Sequence, residues 1–283
     1  MEKIIRQEEI SRRLEKFYDS DSHRYRDAQW INSLPAEYHY QATRNILLTE
    51  LKLSGSENIL EIGCGPGTWT RELQANSRAI TALDLSFGMI SQARSYVANP
   101  KVSFIQGDFI SVAFPDMQYD RIVSVRVLEY FKDKKLVLEK CYSLLNPGGR
   151  LVIITKSPGL IWKYRAKFYN RMKKYWTTTT DNGFDSPAQK GYDHLFWQEL
   201  VSPMKLKKIA QSTGFKHYSV KPVLVRLPII KNGLYEFPIL NGKCAERYLD
   251  FALTLTKTVH KQQQICNTIA CSYSESYMIT CIK

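Results

Sequence analysis

Five short apolar runs mark the first half of the chain. Asn58–Ile62 runs into glycines, Ala79–Leu83 into Asp84, and Val102–Gln106 into Gly107 and Asp108. Tyr119–Val125 is the fourth run. Arg150–Thr155, entered through Asn146-Pro147-Gly148-Gly149, is the fifth. Runs this short and rich in β-branched residues, the first three closed by Gly or Asp, predict strands. Phe87–Val97 and Lys134–Leu145 carry helical periodicity and fill two of the gaps. Strands alternating with helices predict a parallel sheet covered on both faces. In such sheets ligands sit beyond the carboxyl ends of the strands, where the strand order reverses. The flanks differ. Residues 1–54 are polar, aromatic-rich and of helical character, and predict a helical lid. Residues 55–283 predict the α/β domain, with an irregular, basic and aromatic cap insertion at about 157–203 and a return to an α/β pattern over Met204–Lys283.

The first strand delivers Glu61-Ile62-Gly63-Cys64-Gly65-Pro66-Gly67 to the start of a helix. Glycines let backbone turn tightly and approach a ligand with no Cβ in the way, and Pro66 suits a helix start. A pyrophosphate cradle wants G-x-G-x-x-G. The spacing here is G-x-G-x-G with Thr68 next, and no Gly-Lys-Ser/Thr follows. The alternative ligand has no phosphate. S-adenosylmethionine carries an ammonium, for which an acid beside the loop, Glu61, makes sense. Asp84 ends the second strand, where a carboxylate can accept from both ribose hydroxyls. Asp108 ends the third and can accept from an adenine amino group, with Phe109 and Met89 offering apolar faces to the ring. Either aspartate alone is equally a turn or capping residue. Two acids at successive strand ends after a glycine loop are harder to explain that way.

These residues resemble the class I methyltransferases, particularly those acting on small molecules. Ile59–Gly67 looks like their first motif, and Ala82-Leu83-Asp84-Leu85-Ser86 with Met89-Ile90 their second. Gly107-Asp108-Phe109 looks like the third. Tyr119–Ser124 with Val127-Leu128-Glu129-Tyr130 looks like the fourth, and Leu144–Leu151 the entry to the fifth strand. Met204–Phe215 and Glu275–Lys283 look like the helix before the sixth strand and the closing seventh. The resemblance implies a Rossmann-like seven-stranded, mostly parallel sheet in the order 3-2-1-4-5-7-6, its last strand antiparallel. It implies S-adenosyl-L-methionine held by Glu61, Gly63, Cys64, Gly65, Gly67, Asp84, Leu85, Met89, Asp108, Phe109 and Arg126. Tyr130 stands where many relatives carry His, and its ordinary pKa near 10 makes it a poor proton acceptor. Arg126 stands at a position often small or apolar, where it could meet the cofactor's carboxylate or an acidic acceptor. Tyr130, Asp193 and His194 are weak candidates for a base. Tyr18, Tyr25, Trp30, Tyr38, Tyr40 and Arg44 lie where relatives place lid residues; packing against the sheet edge is the competing reading.

Composition adds a bias. The formal charge of +13 favours anionic partners. Leu160–Trp176 sets Ile161, Tyr164, Phe168, Met172 and Tyr175 at helical spacing among Lys163, Arg165, Lys167, Arg171, Lys173 and Lys174. This reads as a basic amphipathic helix: a cap over the substrate pocket, a contact with acidic membrane, or a nucleic-acid contact. Nucleic acid is the least favoured, since neither an Asn/Asp-Pro-Pro-Tyr motif nor a Pro-Cys dipeptide occurs. The six cysteines form no C-x-x-C pair and no zinc-ligand spacing, so free thiols and no metal are expected. No apolar run approaches the roughly 20 residues of a membrane-spanning helix, and Met1–Ile10 lacks the apolar stretch of a secretion signal. A cytoplasmic enzyme methylating an anionic or lipid-like small molecule is the expectation. An RNA-directed enzyme, or an inactive adenosylmethionine binder, is the alternative.

Overall fold

The computed structural model describes residues 6–114, 118–158, 190–193, 196–225 and 243–283. The segment read as a basic amphipathic helix, 160–176, and the candidate base His194 lie outside them.

Two helices come first, α1 (Gln7–Trp30) and α2 (Leu34–Leu51). Ser33 caps α2 by accepting from the Ala36 N–H, and Pro35 sits in the first turn where its missing N–H costs nothing. There follow β1 (Asn58–Ile62), α3 (Thr68–Leu73), β2 (Ala79–Asp84), α4 (Phe87–Val97), β3 (Val102–Gln106), β4 (Tyr119–Val125), α5 (Lys134–Leu144) and β5 (Leu145–Lys156). A hairpin, β6 (Lys190–Asp193) with β7 (Phe196–Glu199), leads to α6 (Pro203–Thr213) and β8 (His217–Pro222). Two further helices, α7 (Lys243–His260) and α8 (Gln264–Ala270), precede β9 (Ser276–Ile282).

The main sheet has seven strands in the order β3-β2-β1-β4-β5-β9-β8. Numbered without the separate β6-β7 hairpin, this is the order 3-2-1-4-5-7-6 implied by the resemblance. The first five strands are parallel, and β9 runs antiparallel to both β5 and β8. The fifth strand is longer than its apolar pattern predicts. It begins at Leu145, which pairs with Tyr119 before a register shift, so Pro147-Gly148-Gly149 lies in an irregular part of the strand and not in a loop.

Side chains alternate across each strand, and two cores result. Leu60, Ile62, Ile122, Leu151 and Ile153 pack with Val137, Leu138 and Cys141 of α5 and Leu206 of α6. Ile59, Ile80, Val123, Val152 and Ile154 pack with Ile46, Leu47 and Leu51 of α2, Ile90 of α4 and Ala252 of α7. The chain winds from β1 outward to β3, then returns to place β4 on the other side of β1. That reversal opens a crevice above the carboxyl ends of β1 and β4. Among the described residues, no helix is long and apolar enough to cross a membrane.

Candidate functional site

The crevice holds a cavity enclosing about 860 Å³, its open mouth included. Its walls contain Gly63, Cys64, Gly65, Asp84, Leu85, Met89, Asp108, Phe109, Arg126 and Tyr130, which the sequence had singled out separately. Local turn chemistry brings them together. Gly63, Gly65 and Gly67 have φ of +72°, +54° and +84°, a left-handed path natural to glycine. Ser86 caps α4 by accepting from the Met89 N–H, which fixes the turn after Asp84.

The loop's N–H groups are already taken. Gly63 and Cys64 both donate to the Leu83 carbonyl, at 2.7 and 3.0 Å. Gly65 donates to Asp84 Oδ2 at 2.8 Å, and Gly67 to the Cys64 carbonyl at 3.1 Å. Pro66 has none. A pyrophosphate needs several free N–H groups converging on it, and this loop offers none between Gly63 and Gly67. A Cβ placed on Gly65 would meet nothing within 4 Å, so the backbone there faces open cavity. The arrangement fits a ligand that lies on the loop without a phosphate.

Both strand-end acids line the cavity. Asp84 also accepts from the Ser86 N–H at 2.9 Å, and burial pushes its pKa up to about 6 against the pull of these N–H groups. Asp108 accepts from the Ile110 N–H at 2.8 Å with one oxygen and from the Ser11 hydroxyl at 2.5 Å with the other.

Glu61, expected beside the ligand's ammonium, is not among the residues that line the cavity. Strand alternation turns it away from the cavity, under the loop. There one oxygen accepts from Thr70 Oγ1 at 2.7 Å and the other has no hydrogen-bond partner. Burial raises its pKa to about 8. An acid raised in the folded state stabilises most at low pH. The contribution is full below its unfolded pKa and is lost as pH rises through about 8. The unliganded protein should therefore lose thermal stability between about pH 5 and pH 8, and Glu61→Gln should flatten that fall. Equal slopes for the two proteins in melts across this range would show that Glu61 does not titrate there. Gly67, the residue before α3, likewise lies outside the cavity wall.

α1 covers the opening. Besides Ser11 on Asp108, Gln7 donates to the Tyr130 carbonyl and accepts from the Lys132 N–H. Asp19 accepts from Ser86 Oγ at 2.5 Å and from the Gly88 N–H at 2.9 Å at the start of α4. Tyr18, Tyr25 and Trp30 line the cavity, whereas Tyr38, Tyr40 and Arg44 of α2 do not. Tyr38 bonds to Asp250 of α7, and Tyr40 and Arg44 both bond to Glu72 of α3. Gln7, Ser11 and Trp69 also line the cavity and had not been singled out. The contacts of Gln7 and Ser11 join residues about a hundred positions apart, and Trp69 packs on Trp30 and Tyr40 of the first two helices; local pattern carries no trace of either.

Tyr130, a candidate base, lines the cavity. Its hydroxyl shares a hydrogen bond with that of Tyr18 at 2.8 Å, and burial drives its pKa further above the ordinary tyrosine value. Asp193 lies on β6. Cys64 lines the cavity, but burial pushes its thiol well up, so it is not a poised nucleophile. Among the described residues, Cys64, Cys141, Cys266, Cys271 and Cys281 are free and no cluster suited to a metal ion occurs.

Residues 59–149 match a family described as methyltransferase domain. An uncharacterized methyltransferase of Mycobacterium tuberculosis (strain ATCC 25618 / H37Rv) is 28% identical over 120 residues, which cover 42% of this chain and 59% of that protein. The malonyl-[acyl-carrier protein] O-methyltransferase of Priestia megaterium is 36% identical over 118 residues, covering 41% of this chain and 43% of the relative. The matches thus span about half the length of these curated relatives. A solved structure described as the DhpI–SAH complex superposes with a TM-score of 0.58 at 18% identity, covering 96% of both chains. Fold, glycine loop and strand-end acids place an α/β domain's crevice beside Asp84 and Asp108. Residues 59–149 thus carry the pattern of a methyltransferase domain, and the chain shares the fold of that solved complex.

Proposed function

We propose that the protein transfers a methyl group from S-adenosyl-L-methionine to a small-molecule acceptor by in-line displacement. The observation that carries this reading is the pairing of a glycine loop whose N–H groups are all taken with two carboxylates, Asp84 and Asp108, on one cavity wall. Asp84 is suited to the ribose hydroxyls and Asp108 to the adenine amino group, with Phe109 and Met89 on the ring's faces. The cofactor supplies an already activated methyl. The chain's work is to hold an acceptor atom in line with it and to exclude water. α1 closes the cavity and serves that exclusion. No general base is assigned, so a nucleophile that needs only to be neutral, such as an amine, or one already ionised, such as a carboxylate, suits this site.

The acceptor is proposed to be anionic or lipid-like. Two observations support this: the net charge of +13, and a relative named for a malonyl group, which ends in a carboxylate. S-adenosylhomocysteine should raise the melting temperature of the whole chain, and NAD should not. Stabilisation by NAD to the same extent, or none by adenosylhomocysteine, would sink the reading.

A further inference from the structure

Arg126 is built into the cavity in an unusual way. It follows β4 directly, at the strand reversal, with φ +64°, a left-handed conformation that strains a side-chain-bearing residue. Its N–H donates to the Ile154 carbonyl at 2.7 Å, which locks the turn. The side chain is 11% exposed and its Nε lies 3.4 Å from Glu129 Oε1. Glu129 is fully buried, and its other oxygen accepts from Thr155 Oγ1 at 2.9 Å. Glu129 therefore holds one edge of the guanidinium. Among the described residues, the two terminal nitrogens take no hydrogen bond.

A buried ion pair of this kind is a weak source of stability, because desolvation offsets most of the attraction. A guanidinium held by one edge presents the other as a fork of donors, the shape that matches a carboxylate or phosphoryl group. Tyr18, Tyr25 and Tyr130 line the same cavity as Arg126. This corner lies on the β4 side of the glycine loop, across from the strand-end acids of β2 and β3. Glu275 adds a second negative charge acting on Arg126, so the site would hold an acid through the donor fork and not through a net positive field.

We infer that Arg126 anchors an acidic group of the methyl acceptor, a carboxylate or a phosphoryl group, with Glu129 fixing its orientation. The assignment rests on the methyltransferase reading above. It makes Arg126 a specificity residue, distinct from the groups that hold the cofactor.

The test is calorimetry on the whole chain saturated with adenosylhomocysteine, titrated with sodium malonate and, separately, with inorganic phosphate. At least one should bind, and whichever binds more tightly names the kind of acid. Arg126→Gln should weaken that binding about tenfold or more, the effect of losing a charge-assisted pair, and Arg126→Lys should recover part of the loss. Affinity for adenosylhomocysteine, and its margin over methylthioadenosine, which lacks the carboxylate, should stay within about twofold. Arg126→Gln leaves Glu129 as a buried unpaired charge. The double variant Arg126→Met with Glu129→Gln removes both charges and keeps the test open if the single variant does not fold. Two results overturn the assignment: no binding of either anion, or equal binding after substitution. So does a loss of the adenosylhomocysteine margin in Arg126→Gln, which would give Arg126 to the cofactor's carboxylate. Failure of the unsubstituted protein to bind adenosylhomocysteine defeats the methyltransferase reading itself; intact cofactor binding without anion binding defeats this assignment alone.

Discussion

Replacing Asp84 with alanine should lower the affinity for adenosylhomocysteine by about 2–3 kcal/mol, roughly 30- to 150-fold. Asp84 has two duties. Its carboxylate accepts from the Gly65 and Ser86 N–H groups, at 2.8 and 2.9 Å, and so shapes the loop on which the cofactor would lie. It is also the group proposed to accept from the ribose hydroxyls. Asp84→Asn keeps the shape but turns one acceptor into a donor, and should lose about half as much. The fold should survive both changes, because the residue ends a strand and is not core. The pKa of about 6 adds a second signature. Burial has raised it, so the carboxylate takes up a proton as pH falls through about 6, and cofactor affinity should fall with it. Calorimetry at several pH values checks both parts. Affinity unchanged in Asp84→Ala, with circular dichroism showing a folded protein, would remove Asp84 from the site.

What the sequence revealed and what it hid follow from the range of the interactions involved. The strands were legible because alternation sends Ile59 and Leu60, or Val152 and Ile153, to opposite cores, and the first three runs stop directly at Gly63, Asp84 and Gly107. Asp84 and Asp108 were legible because strand ends in a parallel sheet share one edge. Glu61 shows the limit. Its place beside the glycine loop suggested a direct ligand contact, but the period-two rule that made β1 visible also decides its direction. It points with Ile59 toward the α3 side, where Thr70 receives it. The role of α1 was less legible. Among the aromatic residues of the first two helices, composition could not separate Tyr18 and Tyr25, which line the cavity, from Tyr38 and Tyr40, which bind α7 and α3. Only the packing of α1 across the sheet edge makes that division. Arg126 stood out as an oddity of residue type, but the Ile154 carbonyl that its N–H reaches lies on the neighbouring strand, and the pairing of β4 with β5 brings them together.

Two neighbouring glycines should fail in opposite ways when each is replaced by alanine. A Cβ on Gly63 would sit 2.2 Å from Val127 Cγ2 and 3.1 Å from its Cγ1, far inside contact distance, and φ of +72° adds its own strain. Overpacking of this kind together with a left-handed alanine should destabilise the fold by about 2–4 kcal/mol. Adding Val127→Ala removes the two clashing carbons and should recover about 1–2 kcal/mol, a coupling that a double-mutant cycle in urea would resolve. A Cβ on Gly65 meets nothing within 4 Å, so Gly65→Ala should cost only the left-handed strain, about 1 kcal/mol. Its methyl would instead stand in the space assigned to the cofactor, and adenosylhomocysteine binding should drop below detection while the protein stays folded. The contrast separates a glycine needed by the packing of β1 against the turn after β4 from one needed by the ligand. If Gly65→Ala bound adenosylhomocysteine normally, the cofactor would not lie on this loop. If Gly63→Ala were as stable as the parent, the approach of Val127 to the loop would not be as close as the geometry places it.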